Sequence, residues 1–164
     1  MMTLIETITV GSGGAASIEF TGIPQDGKDL MVLCSARTSD SASTDILTLS
    51  LNGSTSNFQL VRLYGTGSAA GAQSNSNNWA GIISAADNTN STFASVQIYL
   101  SNYNTANNKS YSADSVLENN ATFGWTQIQA GNWANSDSIT SLLLSASSSS
   151  NFIQHSTASL YIIS

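Results

Sequence analysis

Apolar and polar residues alternate in short stretches from one end of this chain to the other. A period of two is the mark of strands with one buried and one wet face. Leu4 to Val10 alternates first, with Leu4, Glu6, Ile8 and Val10 on one side, and Gly11-Ser12-Gly13-Gly14 turns it. Ser17 to Ile23 follows, with Ile18 and Phe20 facing one way, and ends in Pro24-Gln25-Asp26-Gly27. Leu30 to Ala36 is apolar on both sides, the pattern of a central strand. Ile46 to Leu51 turns Leu47, Leu49 and Leu51 inward and Thr48 and Ser50 outward. Asn52-Gly53 then predicts a tight hairpin, because both residues tolerate positive φ, with Phe58 to Tyr64 as the returning strand.

Gly65 to Asn78, a Gly/Ser/Ala/Asn segment, reads as an exposed loop. Trp79 to Ser84 is a short strand. Phe93 to Tyr103 is the longest β-like run, with Val96, Ile98 and Leu100 on one face. Ser110 to Leu117, Trp125 to Ala130, Ile139 to Ala146 and Phe152 to Ile163 complete about eleven candidates. Helical periodicity is nowhere sustained; Ala113 to Ala121 could form one or two turns at most. The expected fold is all-β: one domain over residues 1–164, an antiparallel two-sheet sandwich of jelly-roll type with about 8–11 short strands. Residues 1–10 are expected to form a contact arm or an edge strand.

Composition sharpens this. Ser, Thr and Asn supply 62 of the 164 residues, so disorder would be the reading if the alternation were missing. Charged residues are only 9 %, with four Lys or Arg in total and a net charge of −6. Four scattered cations cannot neutralise a run of phosphates or grip an anionic bilayer, so neither nucleic acid nor membrane is an expected partner. No apolar run approaches a spanning helix, and Met1 to Glu6 has neither a basic nor an apolar region, so no signal peptide is expected. A single cysteine, Cys34, allows no internal disulfide and reads as a small buried hydrophobe.

Candidate chemistry is sparse. The one histidine, His155, lies between Gln154 and Ser156 with no nucleophile elbow in the chain, and reads as an exposed or interfacial side chain. One His and one Cys do not make a transition-metal site. Asp40 with Asp45, and Asp87 to Asn90, gather oxygen ligands but match no calcium loop. No carboxylate pair is nominated for glycoside hydrolysis. Sequons at Asn52, Asn90, Asn108 and Asn120 are expected by chance at this composition. No enzyme activity and no cofactor are expected. Aromatic and arginine side chains remain as interface candidates.

Several stretches form a wider pattern: Ile8 to Phe20 running into Ile23-Pro24; Cys34-Ser35-Ala36-Arg37-Thr38; Leu51-Asn52-Gly53 followed by Arg62-Leu63-Tyr64-Gly65; Ile98 to Tyr103; Asn108-Lys109-Ser110; Glu118 to Ala121; and Phe152, Ser156-Thr157-Ala158 and Leu160-Tyr161 at the close. In this order the chain resembles a family of small virion proteins of tailed bacteriophages, abundant in phages of cyanobacteria and other aquatic bacteria. Some members look like capsid cement (decoration) proteins; others are tail-associated. The resemblance implies a homotrimer on the outer face of the major capsid protein shell, made in the host bacterial cytoplasm, and carries no catalytic motif. A fibre or spike tip binding host glycans through the amide-rich loops is the alternative expectation. Expected contact elements are residues 1–10 and the loops after Arg37 and Tyr64; expected interface residues are Leu4, Ile5, Arg37, Arg62, Tyr64, Trp79, Tyr103 and Trp133.

Overall fold

A computed structural model of the chain describes residues 1–120 and 123–164. It holds twelve strands among those residues: β1 (Met2–Thr9), β2 (Ser17–Thr21), β3 (Asp29–Ala36), β4 (Thr44–Leu51), β5 (Phe58–Gly65), β6 (Ala70–Asn75), β7 (Trp79–Ser84), β8 (Ala94–Leu100), β9 (Lys109–Glu118), β10 (Gly124–Trp133), β11 (Ser141–Ala146) and β12 (Thr157–Ile163). They make two antiparallel sheets, β1-β12-β3-β8-β9-β10-β5-β6 and β2-β11-β4-β7. The all-β sandwich expected from the alternation is present.

The strand order has a simple origin. Set β5, β6, β9 and β10 aside, and two four-stranded sheets remain, β1-β12-β3-β8 and β2-β11-β4-β7. Successive antiparallel pairs, β1 with β12, β2 with β11, β3 with β8 and β4 with β7, fall alternately into the two sheets. That is a ribbon rolled upon itself, the jelly-roll arrangement. The four remaining strands are two inserted hairpins, β5-β6 and β9-β10. They pair with each other through β5 and β10 and extend one sheet only.

The core lies between the sheets. Leu47, Leu49 and Leu51 of β4, Leu142 and Leu144 of β11, and Ile18 and Phe20 of β2 meet Leu30, Val32, Val96, Ile98, Leu100 and Leu160 of the larger sheet, all buried. Burying an aliphatic side chain of this size contributes roughly 1.5–3 kcal/mol, which makes this layer the main source of stability. Phe58 stacks on Trp133, with ring centroids 6.2 Å apart, and closes the core toward the extension.

Five sequence expectations change. Asn52 (φ 51°) and Gly53 (φ 74°) do form the tight turn, but β4 and β5 lie in different sheets. The turn closes between Leu51 and Ser54, and the chain then crosses the sandwich. Gly65 to Asn78 is not all loop, because Ala70 to Asn75 pairs with β5. The stretch considered for a helical turn is strand up to Glu118; Ala121 lies outside the described residues. The longest strands are β9 and β10, ten residues each, not the run from Phe93. The last strand starts at Thr157, since Phe152 is fixed beforehand by bridges to Ala15 and Thr38. Residues 1–10 supply an edge strand, broken by a bulge between Leu4 and Glu6.

Candidate interaction surface

Three of the hairpin strands turn polar side chains inward and aliphatic ones outward. In β5 the inward positions are Phe58, Leu60, Arg62 and Tyr64, while Val61 and Leu63 face out. In β10 Gln127 and Gln129 face in, and Ile128 faces out between them. In β9 Ser115 is buried, where its hydroxyl accepts from the Ile82 amide (3.0 Å), while Val116 faces out. The result is a cluster of exposed aliphatics on the outer side of the extension: Val61 and Leu63 (53 % each), Val116 (48 %) and Ile128 (59 %). Register makes them neighbours, since Ile128 pairs with Leu63 on one side and Asp114 on the other. Val61, Leu63 and Ile128 border a shallow groove of about 460 Å³ that also touches Ser112, Asp114 and Ala130.

Arg62, Gln127 and Gln129 are joined in one network. Arg62 donates from Nε to Gln73 Oε1 (3.0 Å) and from Nη1 to Gln127 Oε1 (3.1 Å). Gln127 donates to Gln129 Oε1 (2.8 Å), and Gln129 donates to the Trp79 carbonyl (2.6 Å), which also accepts from the Tyr111 hydroxyl (2.9 Å). The guanidinium lies over the Trp79 ring (4.8 Å) and the Tyr64 ring (5.4 Å), and Tyr64 stacks on Trp125 at 5.0 Å. Loss of water lowers the Arg62 pKa from its ordinary value. A buried guanidinium held by neutral amides and π-faces organises structure, and the network costs too much to break for Arg62 to swing outward.

The structure brings Arg62, Tyr64 and Trp79 of the expected interface set together, on the inner side. Tyr64 and Trp79 are half-buried there. Arg37, Tyr103 and Trp133 are buried. Arg37 donates to the carbonyls of Ala86, Asn88, Thr89 and Thr92 and so ties down the turn between β7 and β8; desolvation lowers its pKa. Tyr103 donates to the Pro24 carbonyl. These three side chains are committed to the chain's own interior and offer nothing at its surface. Leu4 and Ile5 are exposed, beside the bulge of β1.

Asp45 accepts from Thr38, Ser147 and Ser148 hydroxyls and holds the loop after β11. Among the described residues no group of three or more His, Cys, Asp or Glu is placed to hold a metal ion. His155 is exposed in a turn with φ 74°, outside the strand where the sequence put it. No described helix is long and apolar enough to cross a membrane.

Comparison with protein-family models and with curated protein sequences finds no match.

Sequence reasoning missed Val61, Leu63, Val116 and Ile128. The available signal was Arg62, Gln127 and Gln129: long polar side chains at alternate positions of β-branched or aliphatic strands, which read equally well as the outer or the inner face.

Proposed function

We propose that this chain is a structural protein of a tailed-phage virion, a capsid cement protein that binds the outer face of the major capsid protein shell and opposes the pressure of packaged DNA. The observation that carries this reading is the inverted polarity of β5, β9 and β10. A fold that buries Leu47, Leu49, Leu51, Leu142 and Leu144 of its small sheet leaves four aliphatic side chains in water on one side of an added four-stranded extension. Exposed apolar clusters of this kind mark surfaces that another protein covers. Covering each of these half-exposed side chains contributes on the order of 1 kcal/mol. The sequence resemblance described above supports the same reading.

The proposed assembly is a trimer, three copies closing a ring about a threefold axis with each copy resting on a different capsid subunit. Detachment then needs several contacts to break together, so individually weak contacts hold firmly. The free edges β1 and β6, at the two ends of the larger sheet, are the elements available for closing the ring.

Copy number in purified particles tests the proposal. Quantifying this protein against the major capsid protein should give hundreds of copies per particle. A handful of copies would overturn the cement reading and move the chain to the tail.

A further inference from the structure

We propose that the outer face of the extension docks on a protein surface whose aliphatic side chains surround a lysine or arginine, and that this cation pairs with Asp114. The inference rests on the cement reading and names the chemistry of the capsid surface that the protein would grip.

The argument starts from register. The β9–β10–β5 row at the middle of the extension reads Asp114, Ile128, Leu63. Asp114 thus stands at the margin of the aliphatic groove, which it lines with Val61, Leu63, Ile128 and Ala130. On its other side it faces Gln97 of β8. Across the whole outer face the charged positions are Asp29, Asp114 and Glu118, and no strand places a Lys or Arg there. Asp29 is engaged at one end, accepting from the Tyr99 hydroxyl (2.6 Å) and the Asn102 amide (2.8 Å). Arg37, Arg62 and Lys109 are buried elsewhere, so none can turn to this face.

That charge pattern selects among occupants. A second copy laid face to face would set three carboxylates against three, with no cation between them, and like charges across an interface are strongly unfavourable. A purely apolar partner would strip water from Asp114 and return nothing. A partner that covers the aliphatics and supplies one cation satisfies both the groove and the carboxylate.

The test uses shells assembled from the major capsid protein alone and the full-length chain, with bound copies per shell measured against protein and salt concentration. Wild type should bind. Asp114→Lys, and separately the double variant Leu63→Ser with Ile128→Ser, should each weaken binding by about tenfold or more. Asp114→Asn should weaken binding less and flatten its salt dependence. Glu19→Lys, exposed on β2 of the other sheet, should bind as wild type does. Far-ultraviolet circular dichroism and melting curves identify any variant that has lost its fold, and Asp114→Asn keeps the test open if the double variant has. Wild-type binding with all outer-face variants unchanged overturns the docking assignment and leaves the cement reading standing. No binding by wild type overturns the cement reading and this occupant with it. Sedimentation of the free protein as a dimer that Asp114→Lys or the double variant dissolves would assign the face to a second copy instead.

Discussion

Cys34 shows how completely the jelly-roll core excludes water. It faces inward from β3, opposite Ala158 on β12 and Val96 on β8. Burial disfavours the thiolate and pushes the thiol from 9.0 up to about 12. The sign of the linkage follows. Below about pH 9 the thiol is protonated in both folded and unfolded chains and does not affect the balance. Above it the unfolded chain releases its proton first, so the stability tied to Cys34 is lost as the pH rises from about 9 toward 12. Denaturant midpoints measured across this range should therefore fall more steeply for wild type than for Cys34→Ala. Parallel slopes would show that the thiol is not desolvated. At neutral pH the same burial should keep a thiol reagent from labelling Cys34 until the chain is unfolded.

At the scale of elements, the hairpins of the extension are locked by tyrosines lying over glycines. Tyr111 on β9 pairs with Gly131 on β10, and Tyr64 on β5 pairs with Gly71 on β6. A Cβ built on Gly131 would stand 2.1 Å from the Tyr111 ring, and one on Gly71 2.6 Å from Tyr64. The ring fills the space that the missing side chain leaves, as aromatics do for glycines in designed sheets. Gly131→Ala should displace Tyr111, break its bond to the Trp79 carbonyl and cost about 2 kcal/mol in urea denaturation. Gly11→Ala, where a Cβ meets nothing within 4 Å, should be neutral within about 0.5 kcal/mol. Equal effects would refute the packing argument. The same elements show what the sequence could and could not reveal. Strands such as β4 were legible because leucines at every second position have only one place to go. β6 was not, because Ala-Gly-Ala-Gln-Ser-Asn carries no large apolar side chain and owes its strand to pairing with β5. Asn52-Gly53 encodes the shape of a turn through positive φ, and nothing local encodes which sheet the next strand joins. The candidate surface was hidden for a related reason. A period of two gives two faces, and only tertiary structure decides that in β5 and β10 the polar one turns inward.

At the scale of the whole molecule, charge is sorted by depth. Arg37, Arg62 and Lys109 are buried against carbonyl and amide oxygens, and nine of the ten carboxylates are exposed or half-exposed, with Asp45 the exception. Lys28 is the one Lys or Arg side chain left at the described surface. The chain therefore shows its neighbours almost pure negative charge around an apolar face. At neutral pH this arrangement keeps copies from meeting through that face, since net charge opposes association while the aliphatics favour it. Lowering the pH removes the first term and leaves the second. Light scattering followed from pH 7 down to the isoelectric point near 4.2 should show wild type associating reversibly as it is approached. The double variant Leu63→Ser with Ile128→Ser has the same charge and lacks the apolar drive, so it should associate at lower pH or not at all. Raising the salt concentration at pH 7 should move wild type part of the way toward association, because screening weakens the same repulsion. Coincident curves for wild type and the double variant would mean that some other part of the surface drives self-contact, and that the outer face of the extension is not the patch its negative charge holds in reserve for a cationic partner.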